Sequence, residues 1–159
     1  MEITLKPLDR EICRILQDNA RLSLSEVADR VGASVPTVSE RVKRLEANGV
    51  IRGYHAVISS DALGYDVTAF IFVDAESSDV YSQFRRNCLK HADILEVHAI
   101  TGTASHIVKV RVRNTSQLEE LLSVMQRWKG VTRTVTHVVL STHKETQNLE
   151  IKPTSAESK

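Results

Sequence analysis

No apolar run in this 159-residue sequence approaches the length of a membrane-spanning helix. The acidic opening Met1-Glu2-Ile3-Thr4 does not read as a secretion signal, so a soluble cytoplasmic chain with no membrane partner is the expectation. Aromatic residues are scarce, at 4%, too few for a platform on which single-stranded nucleic acid stacks. The only two cysteines, Cys13 and Cys88, lie far apart in segments of helical pattern. Without metal-ligand spacing they read as reduced core thiols. Excess charge is also missing. The net charge is +1, residues 1–53 carry nine Lys/Arg against eight Asp/Glu, and residues 54–145 carry ten against ten. Bulk attraction would not draw a polyanion, so affinity for DNA has to come from local placement of cations and from pairing two copies. What remains is an ordinary globular mix, 42% hydrophobic and 26% charged, long enough for one domain or two small ones.

Residues 1–53 hold three short helical patterns with tight connections. Leu8, Ile12, Ile15 and Leu16 fall on one face of the first, and Pro7 suits its first turn. The second opens on Ser23-Leu24-Ser25-Glu26, a capping-box pattern, buries Leu24, Val27, Ala28 and Val31, and stops at Gly32. The third opens on Ser34-Val35-Pro36-Thr37, with Ser34 as N-cap and Pro36 in the first turn. Its apolar stripe is Val35, Val38, Val42 and Leu45, and it stops at Asn48-Gly49. Two residues between Val31 and Ser34 force a sharp turn, which makes residues 23–47 a helix-turn-helix reading unit whose last helix faces the major groove of double-stranded DNA. Its outward face carries Thr37, Glu40, Arg41, Lys43 and Arg44, with Ser39 at the edge. Small hydroxyls near the N-terminus admit base edges, and the cations suit phosphate or guanine. Alone, such a face favours a solvated surface; the three-helix frame reverses that and argues for contact with DNA. Val50 to Ile58 then has strand composition, in which Arg52 and His55 either touch the DNA backbone or simply belong to a connecting strand, and residues 54–65 read as a wing and linker.

From residue 66 to 145 strands alternate with helices. Asp66–Ala75, Ile94–Thr101, His106–Val112 and Val131–Leu140 read as strands. Asp79 opens a helix with a Val80, Phe84, Cys88 stripe, and a second helix carries Leu118, Leu121, Leu122 and Met125. The order βαββαβ predicts an α+β fold, a ferredoxin-like sandwich with both helices on one face of an antiparallel sheet. The other face carries Phe70, Phe72 and Ile107, and an apolar sheet face on so small a domain calls for a second copy. Residues 146–159 read as a polar tail that frays.

Over residues 5–152 the chain resembles the Lrp/AsnC (feast/famine) family. The resemblance rests on Leu8-Asp9-Arg10-Glu11-Ile12, Asn19-Ala20-Arg21-Leu22-Ser23, Ala28-Asp29-Arg30-Val31-Gly32 and, most specifically, Ser34 through Glu46 followed by Gly49-Val50-Ile51. It implies a transcription regulator that binds DNA as a homodimer or larger ring and is often tuned by an amino acid, with no cofactor. The chain departs from the family at Lys6, where an acidic cap is common. The resemblance also places an effector site at the hairpin of Gly102, Thr103, Ala104 and Ser105, with Ala99 and the run His137, Val138, Val139 at matching pocket positions. Family hairpins often carry an acid there that meets a ligand ammonium. None is present here, and a lost charge-assisted bond is worth about 1.5–3 kcal/mol. The runner-up is an enzyme on the same scaffold, since tetrapyrrole decarboxylases resemble the family in fold; the hydroxyl-plus-cation face of the third helix favours the regulator. His98, His106 and His137 could neighbour one another on the sheet, but no pair has local ligand spacing, so no metal is expected.

Overall fold

The structure, a computed structural model, describes residues 5–152. The described chain divides into two compact units, residues 5–57 with 145–152, and residues 58–144.

The first unit is built on α1 (Pro7–Asp18), α2 (Leu24–Val31) and α3 (Val35–Ala47). The capping box expected for α2 is present: Glu26 N–H donates to Ser23 Oγ (3.2 Å), and Ser23 N–H donates back to Glu26 Oε2 (2.7 Å). At the start of α3, Thr37 N–H donates to Ser34 Oγ (3.3 Å). Ile12, Ile15 and Leu16 from α1, Val27 and Ala28 from α2, and Val38, Val42 and Leu45 from α3 form one buried core. Two expected core residues stay outside it. Leu24 is 38% and Val35 42% exposed. Each is the first residue of its helix and precedes the stripe that meets the core; Val31 is half-buried against it.

Two further expectations for this unit are corrected. Residues 50–58 form no strand. Strand composition makes a strand only where a neighbour completes its ladder, and among the described residues the backbone of 52–58 makes no hydrogen bond. The Tyr54 hydroxyl instead donates to Glu46 Oε1 (2.9 Å), and burial together with that carboxylate pushes its pKa up to about 12. The C-terminal segment, expected to fray, returns to this unit and hydrogen-bonds to α1 as far as Lys152.

The second unit follows the predicted order: β1 (Val67–Ala75), α4 (Ser78–Lys90), β2 (Ile94–Ala99), β3 (His106–Val112), α5 (Thr115–Gln126) and β4 (Val131–Val138). All neighbours are antiparallel in the order β2-β3-β1-β4. Strands β2 and β4 each end two residues earlier than the sequence pattern suggested. Alternation sends Ala69, Ile71, Val73, Val108, Val110 and Val112 to one face, where Phe84 and Cys88 of α4 and Leu118, Leu121 and Met125 of α5 close the core. A register shift between Ile94 and Glu96 leaves Leu95 half-exposed, so that Ile94 and Val97 both pack on the core. The opposite face presents Phe70, Phe72, Ile107 and Val135 among Glu96, His98, Lys109 and His137, and no helix of the unit covers it.

Gly130, between α5 and β4, has φ +86, and a Cβ there would lie 2.4 Å from Val80 Cγ2. Replacing it strains the backbone and drives a side chain into Val80 of α4. Gly130→Ala is expected to destabilise this unit by about 2–4 kcal/mol, measured as a lowered denaturant midpoint. A midpoint equal to that of the parent chain would contradict the close approach.

Candidate nucleic-acid interface

α3 turns its core stripe inward and leaves Pro36, Glu40 and Lys43 exposed on the opposite side. Ser34 is exposed and Thr37 partly so; their hydroxyls lie 2.8 Å apart and bond to each other at the helix start. Ser39 is half-buried at one flank.

The other flank departs from the sequence reading. Arg41 and Arg44, grouped there with the outward face, both turn toward α1. Arg44 Nη2 lies 2.9 Å from Asp9 Oδ2 and Arg41 Nη1 3.5 Å from Asp9 Oδ1. Arg41 follows Val38 and precedes Val42, so helical spacing sets it beside the apolar stripe, within reach of the neighbouring helix. The Asp9 side chain is only 3% exposed, against 23% for Arg41 and 45% for Arg44. Asp9 also accepts from Lys6 N–H (3.4 Å) in the first turn of α1. A lysine ammonium has no lone pair with which to accept in return, so the chain's departure at Lys6 is met by Asp9 alone. Among the described residues Lys43 makes no ion pair or hydrogen bond, so it is a cation of α3 with no internal anion.

The hairpin between β2 and β3 is the second predicted site. Thr101, Gly102 and Thr103 are exposed and Ala104 is buried. Gly102 has φ +115 with nothing within 4 Å of where a Cβ would sit, so its constraint is the backbone and not space. Ile100 N–H donates to Ser105 O (3.0 Å), closing the loop, and Ser105 Oγ donates to Val73 O (2.9 Å). The same Oγ lies 2.9 Å from His106 Nδ1. With its one proton committed to Val73, the hydroxyl accepts from the ring, which puts the ring proton on Nδ1. Burial lowers the His106 pKa and keeps the ring neutral between Tyr81 (4.6 Å) and Phe84 (4.9 Å).

The remaining predicted pocket residues do not join this hairpin within one chain. Ala99 pairs with His106 at its base. His137 pairs with Phe70 and stacks edge-on against Phe72 at 5.3 Å, Val138 pairs with Ala69, and Val139 N–H donates to Thr68 O (2.9 Å). Ser105 meets β1 at Val73, so four residues of strand, about 13 Å, separate Val138 from the hairpin along β1. The three histidines are also apart: His106 faces the helices, while His98 and His137 lie on the open face on opposite edge strands. Neither thiol is poised as a nucleophile, since burial raises Cys13 and pushes Cys88 up to about 12.

Residues 5–52 match the family model for winged helix-turn-helix DNA-binding, and residues 68–149 match the Lrp/AsnC ligand binding domain. The chain belongs to the Lrp/AsnC family. It is a transcriptional regulator of that type, with a DNA-binding helix-turn-helix and a ligand-binding domain. Among its relatives, the HTH-type transcriptional regulator FL11 of Pyrococcus abyssi is 38% identical over 152 residues, covering 96% of this chain and 100% of the relative. A feast or famine regulatory protein from M. tuberculosis, solved in complex with L-methionine, has a TM-score of 0.87 at 30% identity over 94% of this chain and all of that one. A transcriptional regulator from Neisseria meningitidis in an L-Met complex has a TM-score of 0.86 at 28% identity, covering 92% of this chain and 97% of that one.

In this Lrp/AsnC regulator the Asp9 cluster is the tie between α1 and the reading helix. Asp9→Asn keeps the side-chain shape and removes the charge. It is expected to cost about 2 kcal/mol of helix-unit stability in denaturant titration, the two arginines recovering part of the loss by reaching water. The freed arginines should also steepen the salt dependence of DNA binding. Unchanged stability would mean that the ion pairs contribute nothing.

Proposed function

We propose that the protein regulates transcription without catalysing a reaction. In this reading it binds double-stranded DNA as a two-fold dimer or an assembly of dimers, with α3 in the major groove and the sheet domain as pairing and sensing module. The observation that carries the reading is the exposed face of α3: Ser34, Pro36, Thr37 and Glu40 at the end that approaches bases, Lys43 free for phosphate, and Arg41 and Arg44 held at the flank by Asp9. Dimeric pairing is supported by the uncovered sheet face with Phe70, Phe72 and Ile107, which a second copy would take out of water. Two reading helices about 34–36 Å apart then meet successive major grooves on one side of the duplex.

For the sensing module, the L-methionine in two similar structures supports an amino-acid-like ligand. Thr103, Ala104 and Ser105 offer that ligand hydroxyls and backbone but no carboxylate, and Ser105 is already committed to Val73 and His106. The ammonium of a free amino acid therefore needs another acceptor, and a weak response to simple amino acids is expected. Ala99 lines the hairpin's base. His137, Val138 and Val139 would join the same pocket only across a contact between copies.

Fluorescence anisotropy on a duplex enriched by in vitro selection tests the DNA reading. Lys43→Ala should weaken binding and lower the salt slope by about one, with the melting temperature unchanged. Arg41→Ala should lower affinity and stability together, because it also removes a partner of Asp9. Parent-like affinity in both variants would take α3 out of the interface. Sedimentation tests the pairing face: Phe70→Asp should turn a micromolar dimer into monomer, and a parent chain already monomeric at that concentration would sink the dimer.

A further inference from the structure

The chain leaves the helix unit near residue 57 and returns to it at residue 145. The returning segment is fastened to α1 by its backbone. The Gln17 side-chain amide donates from Nε2 to Leu149 O (2.8 Å) and accepts at Oε1 from Leu149 N–H (3.0 Å). One side chain thus satisfies both polar groups of one residue, as a neighbouring strand would. Two helical turns earlier, Arg10 Nη1 reaches Lys152 O (3.5 Å). The geometry is self-consistent. Seven residues of helix between Arg10 and Gln17 rise about 10 Å, and three extended residues from Leu149 to Lys152 span about the same length. The segment therefore runs antiparallel to α1. The Leu149 side chain is 74% exposed, so the fastening owes little to that side chain.

We infer that residues 145–152 are a strap, locked by Gln17, that gives the DNA-reading unit a second tether to the ligand-binding domain. Neither connection is stiff, since the backbones of 52–58 and of 140–144 make no backbone hydrogen bond among the described residues; the strap differs in being fastened at its α1 end, so it restrains by limiting reach and not by rigidity. Held by residues 52–58 alone, the reading unit would sample many orientations, and a dimer would have to order both units to occupy two half-sites. A second tether removes part of that ordering cost before DNA arrives. The inference rests on the dimeric DNA reading above; the strap's attachment to α1 does not.

The test uses the full chain, Gln17→Leu, and a chain ended after Lys144. Hydrogen exchange read by mass spectrometry on residues 145–152 should show a protected Leu149 amide in the parent chain and loss of that protection in Gln17→Leu. On the selected duplex, both variants should bind about tenfold more weakly than the parent, the fold-change expected from two net hydrogen bonds of modest strength. The ratio of specific to non-specific affinity should stay unchanged, because α3 is untouched. Circular dichroism confirms helix content, and the truncated chain, which keeps Gln17, guards against a local effect of the substitution. An unprotected Leu149 amide in the parent chain overturns the strap, whatever the DNA result. A protected amide with parent-like or tighter DNA binding in both variants overturns its role in orienting the reading unit. A parent chain that binds no selected duplex defeats the DNA reading instead, and the exchange measurement still decides the attachment.

Discussion

A single buried carboxylate holds the reading helix in place. Asp9 sits at the start of α1, almost out of contact with water, and draws two arginines from the flank of α3. A buried anion without partners would be costly, so the packing that brings Arg41 and Arg44 to α1 is favoured over rotations that leave Asp9 unpaired. The apolar contacts of Ile12, Val27, Val38 and Leu45 drive the helices together but are compatible with some rotation about the α3 axis. The ion pairs select one rotation, and with it the residues that face outward: Pro36, Glu40 and Lys43. The proposed interface with DNA is in this sense set from behind.

The second unit relies on a different asymmetry. Both helices cover the same side of the sheet, so every strand is divided between a dry face and an open one. The dry face reaches under the hairpin at Ser105 and His106, where two hydrogen bonds to one hydroxyl order the loop from its buried side and leave Gly102 and Thr103 free at the tip. The recognition helix and the hairpin are thus built alike: fixed by polar groups below, open above.

Much of this was legible in the sequence because it is local. The Ser23–Glu26 box, the Ser34 cap, the stripe of Phe84 and Cys88 and the limits of β3 all depend on residues within a few positions of one another, and the structure has them as read. The misreadings share the opposite cause. Arg41 reads as a solvent-face residue because its partner lies 32 positions away. Residues 50–58 have strand composition without a strand to pair with. Leu24 and Val35 keep helical spacing but precede the buried turn. The strap was invisible because its bonds to Gln17 are made by backbone atoms, which leave no signature in side-chain pattern. The candidate pocket was half legible, since periodicity placed the hairpin but not the distance from Val73 to Ala69 that separates its members in one chain.

The pairing of Arg41 and Arg44 with an internal anion also bears on how such a protein moves through a genome. Non-specific affinity grows with each phosphate neutralised, and here α3 offers Lys43 as its cation without a partner, while Arg41 and Arg44 share the single charge of Asp9 and together contribute one net positive charge instead of two. A weakly attracting surface spends little time on irrelevant duplex and returns quickly to solution. On the proposed reading, search would then rest more on short visits and hops than on extended sliding. The excess of ordinary DNA over true sites would then sequester fewer molecules, and a small pool of protein would suffice to keep its operators occupied.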